Sequence, residues 1–563
     1  MDSQGDFFLN INELSQIFWT KKIESSSMVR DPLGIWSHVN IQVDYVPGIT
    51  SVTNRIRYYS LLSWYYENLF DKRILNHNDF ERLFILICLS HHEGDYNHPS
   101  LSSVFNKQRF KDTWNSMESF ELDFQINGFG RTYYNRQLDI LRCCWTDQLN
   151  QVHRSPINHE LSSFFPHVDA KFFKKNLFSR EDVLKNISGF CICKKYDEEI
   201  DVMSKLLFGF IKHANNEWSI DKDSYNKFIN EGVIDFNFKG FELDTEEILF
   251  SNIPSYIEMN QRRRNTLFMF LKIIAETNPQ KNEFRKAIWD AIYFQQNTYT
   301  KEKIDFKELD RILRYWEVLQ LNVYYVYSLE KILDVIQEIV FDETGISKDK
   351  LLTSLDIDTI LLELSELCDI EIKNTTKLNE IINALYLKCK VDEGLNSPIN
   401  ESLIYDNIAT AENLEEILAN VVLLLFLLKR KYESINENII KNARIEKNIY
   451  IKDKLRIDIL FNYIDQNRNE DIIFFLNYLI QSVIERHLYE ANVRMSRGTR
   501  NWLFVEEDSR LFFSRNDLIT IYTRDNRWNS ILKLMQDIEF IDIDDDIVLT
   551  DNGEKWLKQA RLI

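Results

Sequence analysis

Over residues 311–340, Ile312, Trp316, Leu319, Val323, Val326, Leu329, Ile332 and Ile336 return at steps of three and four, which gathers them on one face of a helix. The same period marks 266–274, 283–294, 358–367 and 414–431. It returns at 471–489, where Ile472, Phe475, Leu476, Leu479, Val483 and Leu488 share a side. No fixed-length repeat links these segments, which argues against a solenoid. Past residue 500 the pattern changes. Trp502-Leu503-Phe504-Val505 is a short β run, and Ser514 with Asp517 three residues on resembles a capping box opening a helix to about Thr523. A helix over 527–536 turns Trp528, Ile531, Leu532 and Met535 inward. Two β runs at 538–543 and 547–549 are joined by Asp544-Asp545-Asp546, and 552–561 closes as a helix. The pattern predicts a mostly α, multi-domain chain with an α+β C-terminal domain.

Breaks in the pattern divide the chain. Pro32, Pro47, Pro99, Pro156 and Pro166 crowd the first third and none follows Pro398, so the N-terminal part should have shorter helices and more turns. The polar stretch 213–244 reads as a connector, and a second polar stretch at 390–413 interrupts two helical patterns. The expected organisation is an N-terminal helical domain over 1–195, a connector over 196–245, a central helical domain over 246–465 and a C-terminal domain over 466–563.

Composition narrows the class. With 563 residues, 44% of them hydrophobic and 28% charged, the chain can bury several cores. A net charge of −19 opposes bulk nucleic-acid binding and leaves only a locally basic face to contact DNA. The start carries acids and no basic, then apolar, secretory pattern, and the longest apolar run, 417–428, is short of the ~20 residues that span a bilayer. A cytoplasmic protein without a membrane partner is expected. The seven cysteines are sparse and odd in number, which reads as buried thiols. Cys191-Ile192-Cys193 has a single residue between its cysteines, whereas zinc-ribbon pairs are spaced by about two to four, and no second pair stands nearby in sequence.

The C-terminal order of helix, strand, helix, helix, strand, turn, strand, helix resembles the winged helix-turn-helix. That resemblance implies that the 527–536 helix offers Asn529, Lys533 and Gln536 to DNA bases or to a protein partner. Three aspartates at the wing tip would be repelled by phosphates, which favours protein docking. Just upstream, Arg486, Arg494, Arg497 and Arg500 lie within fifteen residues, a group able to grip a phosphate backbone or an acidic partner.

Near the N-terminus, Asp31-Pro32-Leu33-Gly34 is followed by Pro47-Gly48 and then by Thr53, Arg55, Arg57, Tyr58 and Tyr59. Pro-Gly makes a tight turn, and Thr50 or Ser51 can cap the helix that follows. Arginines in a first turn oppose the helix dipole, so Arg55 and Arg57 need a carboxylate, carbonyls or a phosphate as partners. This Pro-Gly…Thr-x-Arg-x-Arg-Tyr-Tyr segment, with the aromatic helix around Tyr315-Trp316 and Tyr324-Tyr325, resembles a set of bacterial proteins from antiphage-defence loci. The resemblance implies a defence setting and brings no catalytic residues.

No phosphate-binding Gly-x-x-x-x-Gly-Lys-Ser/Thr loop occurs. His91, His92, Asp95 and His98 form the densest metal-capable cluster, but in no recognised ligand spacing, and a solvated helix end is the simpler reading. Asp356 or Asp358 with Glu371-Ile372-Lys373 formally matches a metal-dependent nuclease pattern on segments that read as helix. Arg262-Arg263-Arg264 reads as a solvated helix face. The expectation is a non-enzymatic subunit of an antiphage or DNA-surveillance complex, without a cofactor. It would dock an SMC-type ATPase or a nuclease, in kleisin-like fashion, and contact double-stranded DNA or protein through its C-terminal domain. The alternatives are a metal-dependent nuclease effector and a DNA-binding transcriptional regulator.

Overall fold

A computed structural model of the chain describes most of residues 29–208, 253–442 and 454–560, with short gaps inside these spans, and two short strands at 211–212 and 218–219. The described residues are mostly helical, and their strands are two to four residues long. No described helix is long and apolar enough to cross a membrane. Contacts divide the chain into two compact units, one built from 1–41 and 317–525, the other from 42–316 and 526–563. Residues 466–563 therefore do not group together, because the helix Trp528–Asp537 packs its tryptophan on Trp316 and Phe270 within the second unit.

In the first unit, the helix Asp310–Asp342 supplies residues 317–342. All eight apolar residues of its expected face are buried, but so are Leu333 and Tyr325 on other faces, and so are Glu317, Gln320, Asn322 and Glu330. Two of these polar positions have partners where the sequence pattern implies water: Lys431 pairs with Glu317 at 2.5 Å, and Trp36 donates to Glu330 at 2.7 Å. The stretch 390–413, expected as a loop, holds the helix Glu401–Thr410, which Asn400 caps by accepting from the Leu403 amide while Ile404 and Ile408 are buried.

The expected helix over 514–523 is not formed. Ser514 donates its hydroxyl to the Leu503 carbonyl, closing the hairpin Phe504–Glu507 and Arg510–Phe513 and leaving no cap, and Ile521–Tyr522 runs as a strand parallel to Val29–Arg30. The basic group next to this hairpin also turns inward. Arg486 donates to the Leu33 carbonyl at 2.6 Å and pairs with Glu490, and Arg494 donates to the carbonyls of Arg30 and Asp31. Carbonyls of the Asp-Pro-Leu-Gly turn take the place of a phosphate. Arg497 is exposed, and Arg500 lies outside the described residues.

His487, beside Arg486, is buried with both ring nitrogens engaged. Nε2 accepts from the Leu503 amide at 3.3 Å, so Nδ1 carries the proton and donates to the Pro32 carbonyl at 3.1 Å. A second proton would meet the Leu503 N–H, and burial pushes the pKa down to about 4. Unfolded histidine titrates near 6.5, so from about pH 6.5 to about 4 the unfolded chain binds the extra proton. Stability is fully present above this window and falls as pH drops through it, by about 3 kcal/mol at most. Urea unfolding at pH 7 and pH 4.5 should show a smaller loss in His487→Gln than in the native chain; equal losses would exclude this assignment.

The second unit holds the connector's first part as the helix Asp197–Leu207, buried at Glu199, Val202, Met203 and Leu206. Positions 209–210, 213–217 and 220–245 of the expected connector lie outside the described residues. Of the three arginines, at least one of which was expected to face solvent or a partner, Arg262 is half-buried and Arg263 and Arg264 are buried. Arg263 donates to the Leu207 carbonyl at the end of Asp197–Leu207 and to the Pro47 carbonyl, joining the Pro-Gly turn to a helix C-terminus. The strands Ile541–Ile543 and Ile547–Leu549 form the expected hairpin, and Thr550 caps Asp551–Gln559 by accepting from the Gly553 amide. A Cβ on Gly553 would lie 2.1 Å from the Phe540 carbonyl oxygen, so the close approach of helix and hairpin requires glycine there.

Candidate metal centre

The helix His77–His91 buries Phe80, Leu83, Phe84, Ile87 and Cys88 and then stops abruptly. Glu93 and Gly94 take positive φ, and the Gly94 amide donates back to the Leu89 carbonyl at 2.9 Å. A Cβ on Gly94 would lie 2.1 Å from Trp114 Nε1, so the chain leaves the helix by a turn that glycine permits. His91 and His92 stand at this end, both half-buried.

A second segment meets them there. After the 3-10 turn Ser188–Phe190 come Cys191, Ile192 and Cys193. Cys191 Sγ lies 3.5 Å from His92 Nε2, Cys193 Sγ lies 3.5 Å from His91 Nδ1, and the two sulfurs are 3.4 Å apart. All four donor atoms lie within 4.8 Å of one another. In tetrahedral zinc, bond lengths of about 2.3 Å to sulfur and about 2.0 Å to nitrogen put two sulfurs about 3.8 Å apart and sulfur and nitrogen about 3.5 Å apart. The two sulfur–nitrogen distances and the sulfur–sulfur distance lie within about 0.4 Å of those values, and the outer limit of 4.8 Å for the set lies about 1 Å above them, so side chains must draw in to seat an ion.

The donor set points the same way. Two thiols and two imidazoles suit zinc, whereas magnesium and calcium take oxygen ligands. Burial, together with the neighbouring His98 and His91, holds His92 down at about 4, so it is a neutral ligand at neutral pH, and His91 is also lowered, chiefly by burial. A hydrogen bond from Cys88 lowers Cys191 to about 7, while burial raises Cys193 to about 12. The first sulfur is thus ready to lose its proton, and a metal would be needed to take the proton from the second.

The arginines of the N-terminal motif hold the cysteine segment in place. Arg55 donates to the Ile192 carbonyl, between the two cysteines, at 2.9 Å, and pairs with Asp537 at 3.2 Å. Asp537 also accepts from the Ile56 amide at 2.9 Å, capping the helix Ile56–Tyr65, while Ser51, one of the two expected caps, lies outside the described residues. Arg57 donates to the Gly189 carbonyl at 2.6 Å and pairs with buried Glu199 at 2.6 Å, its guanidinium 3.9 Å from the centre of the Phe165 ring. Tyr58 stacks on Tyr134 at 4.8 Å. Both arginines have the carboxylate and carbonyl partners their position demands. No protein family, curated protein or solved structure matches this chain.

The structure brings together only part of the candidate cluster His91, His92, Asp95 and His98. His91 and His92 take part, but Asp95 is exposed and accepts from the Asn97 amide, and His98 packs its ring 4.0 Å from that of His92 without joining the four. Where a solvated helix end was expected, cysteines from a hundred residues away join two of the four candidates. The only available signal in the sequence was the pairing of two adjacent histidines with two near-adjacent cysteines, each pair at the end of an apolar segment. The nuclease-like set does not assemble in this way. Asp356 caps Ile357–Cys368 by accepting from Asp358 and Thr359, and exposed Glu371 pairs with Lys373 at 3.0 Å. On the helix Trp528–Asp537, Lys533 and Gln536 are exposed and Asn529 half-buried. The aspartate turn beside it is engaged, Asp545 accepting from the Lys281 amide and Asp546 bridging to Gln280.

Proposed function

We propose that this chain is a zinc-stapled, non-enzymatic docking subunit, in which His91, His92, Cys191 and Cys193 hold one zinc ion as a structural cross-link. The convergence of four nitrogen and sulfur donors within 4.8 Å of one another carries the reading. Four protein ligands fill a zinc ion's coordination and leave no position for substrate, which separates structural sites from catalytic ones. The chain's own groups support the role: Arg55 and Arg57 fix the cysteine segment, and the Gly94 turn fixes the histidines. Purified protein should carry one zinc per chain by elemental analysis; a protein isolated from zinc-replete cells with none would sink the reading.

The docking role rests on the exposed Lys533 and Gln536, presented by a helix and hairpin that resemble the second half of a winged helix. One lysine on that face, in a chain of net charge −19, favours a protein partner over a phosphate backbone. The N-terminal resemblance supports reading this role within a bacterial antiphage or DNA-surveillance complex, with an ATPase or nuclease as the partner.

A further inference from the structure

We propose that the centre is also a peroxide-responsive thiol switch, in which oxidation of Cys193 and Cys191 ejects the zinc and Cys88 takes over the disulfide. The inference rests on the zinc reading above. Three sulfurs, not two, meet at the site. Cys88 lies on the histidine-bearing helix, one turn before His91 and His92, and its buried thiol is near enough to Cys191 for each to perturb the other. It stands outside the four-donor set, so a zinc ion held by that set leaves it as a spare thiol beside the site. The three sulfurs also differ in access. Of the chain's seven cysteines, six are buried and Cys193 alone is partly exposed, which makes it the point of entry for a small oxidant.

Chemistry follows from that order. The Cys193 sulfur attacks the O–O bond of a hydroperoxide; an S–O bond forms, the O–O bond breaks and the departing oxygen takes a proton, leaving as water when the oxidant is hydrogen peroxide. The Cys191 sulfur, 3.4 Å away, then attacks Cys193; an S–S bond forms, and the sulfenic oxygen leaves as water after taking a proton. Two thiolates, one hydrogen peroxide and two protons give one disulfide and two waters. The sulfurs supply both electrons and the zinc remains divalent. With only His91 and His92 left as ligands, the ion departs. Cys88 next attacks Cys191, the Cys191–Cys193 bond breaks, and Cys193 leaves with the proton that Cys88 gives up. The product is a Cys88–Cys191 disulfide with Cys193 again a free thiol.

The test treats zinc-loaded full-length protein with hydrogen peroxide, follows released zinc with a colorimetric chelator and maps the cysteines by differential alkylation and mass spectrometry. The expected result is one zinc released per chain, a Cys88–Cys191 disulfide, an alkylatable Cys193, and recovery of zinc binding after reduction. Cys88→Ser should still bind one zinc and release it, but end as a Cys191–Cys193 disulfide with neither thiol alkylatable. Zinc retained under peroxide, or released with Cys193 as sulfinate or sulfonate and no disulfide, overturns the switch while leaving the zinc centre standing. Absence of zinc before peroxide overturns both. Mapping of the native chain decides the matter alone should the serine variant not fold.

Discussion

Cys193→Ser is expected to abolish zinc binding and to lower the thermal midpoint of the metal-replete protein by roughly 10 °C. Ligand bound only to the folded state stabilises it by about 4 kcal/mol at a thousandfold excess over its dissociation constant. For folded units of this size each kcal/mol shifts the midpoint by roughly 2–4 °C. Cys193 is half-buried, and without a metal the loss of one such sulfur should cost about as little as an ordinary surface substitution, within roughly 0.5 kcal/mol. The two readings thus differ by almost an order of magnitude in energy. A chelator supplies the internal control: it should bring the native chain down to the midpoint of the variant and leave the variant where it is. A native chain whose midpoint ignores both chelator and added zinc has no structural metal here.

Removing the buried guanidinium of Arg57 should cost about 3–5 kcal/mol, the usual penalty for breaking a buried ion pair from one side. Arg57→Ala leaves Glu199 buried without its 2.6 Å partner, releases the Gly189 carbonyl two residues before Cys191, and strips the cation from the Phe165 ring. Burial already pushes the Glu199 carboxyl above its ordinary value, against the pull of Arg57. Without Arg57 the carboxyl rises further, so it stays protonated to a higher pH in the folded variant than in the unfolded chain. A raised folded pKa gives stability that is present at low pH and lost as pH rises through it. The deficit of Arg57→Ala should therefore be smaller at pH 5 than at pH 8, by urea unfolding. A deficit independent of pH would assign the loss to the Gly189 carbonyl and the ring contact instead. Weaker zinc retention in this variant, with all four ligands intact, would show that the arginine positions the cysteines.

The helices at 284–294, 357–368, 414–434 and 472–496 could be read from apolar spacing because a helix is a local object: residues three and four apart share a face wherever the helix ends up. Local patterning also gave the hairpin at 541–549 and the inward face of Trp528–Asp537. It gave the demand of Arg55 and Arg57 for partners, since that follows from placing cations at a helix start. Where local chemistry had two uses, only the fold chose between them. Ser514 can cap a helix or bond a neighbouring strand, and the hairpin took it. Arg486 and Arg494 can meet phosphate or carbonyl oxygens, and a turn 450 residues upstream in sequence supplied the carbonyls. The four-donor cluster is the feature least legible in the sequence. His91-His92 and Cys191-Ile192-Cys193 are each incomplete as ligand sets, and each was sensibly read as a helix end and as buried thiols. What completes the set is the arrest of one helix at Gly94 and the tethering of a second segment by Arg55 and Arg57, which set donors a hundred residues apart within 4.8 Å. Donor chemistry is written in residue types, but coordination is a matter of distances, and those are settled only when the chain packs.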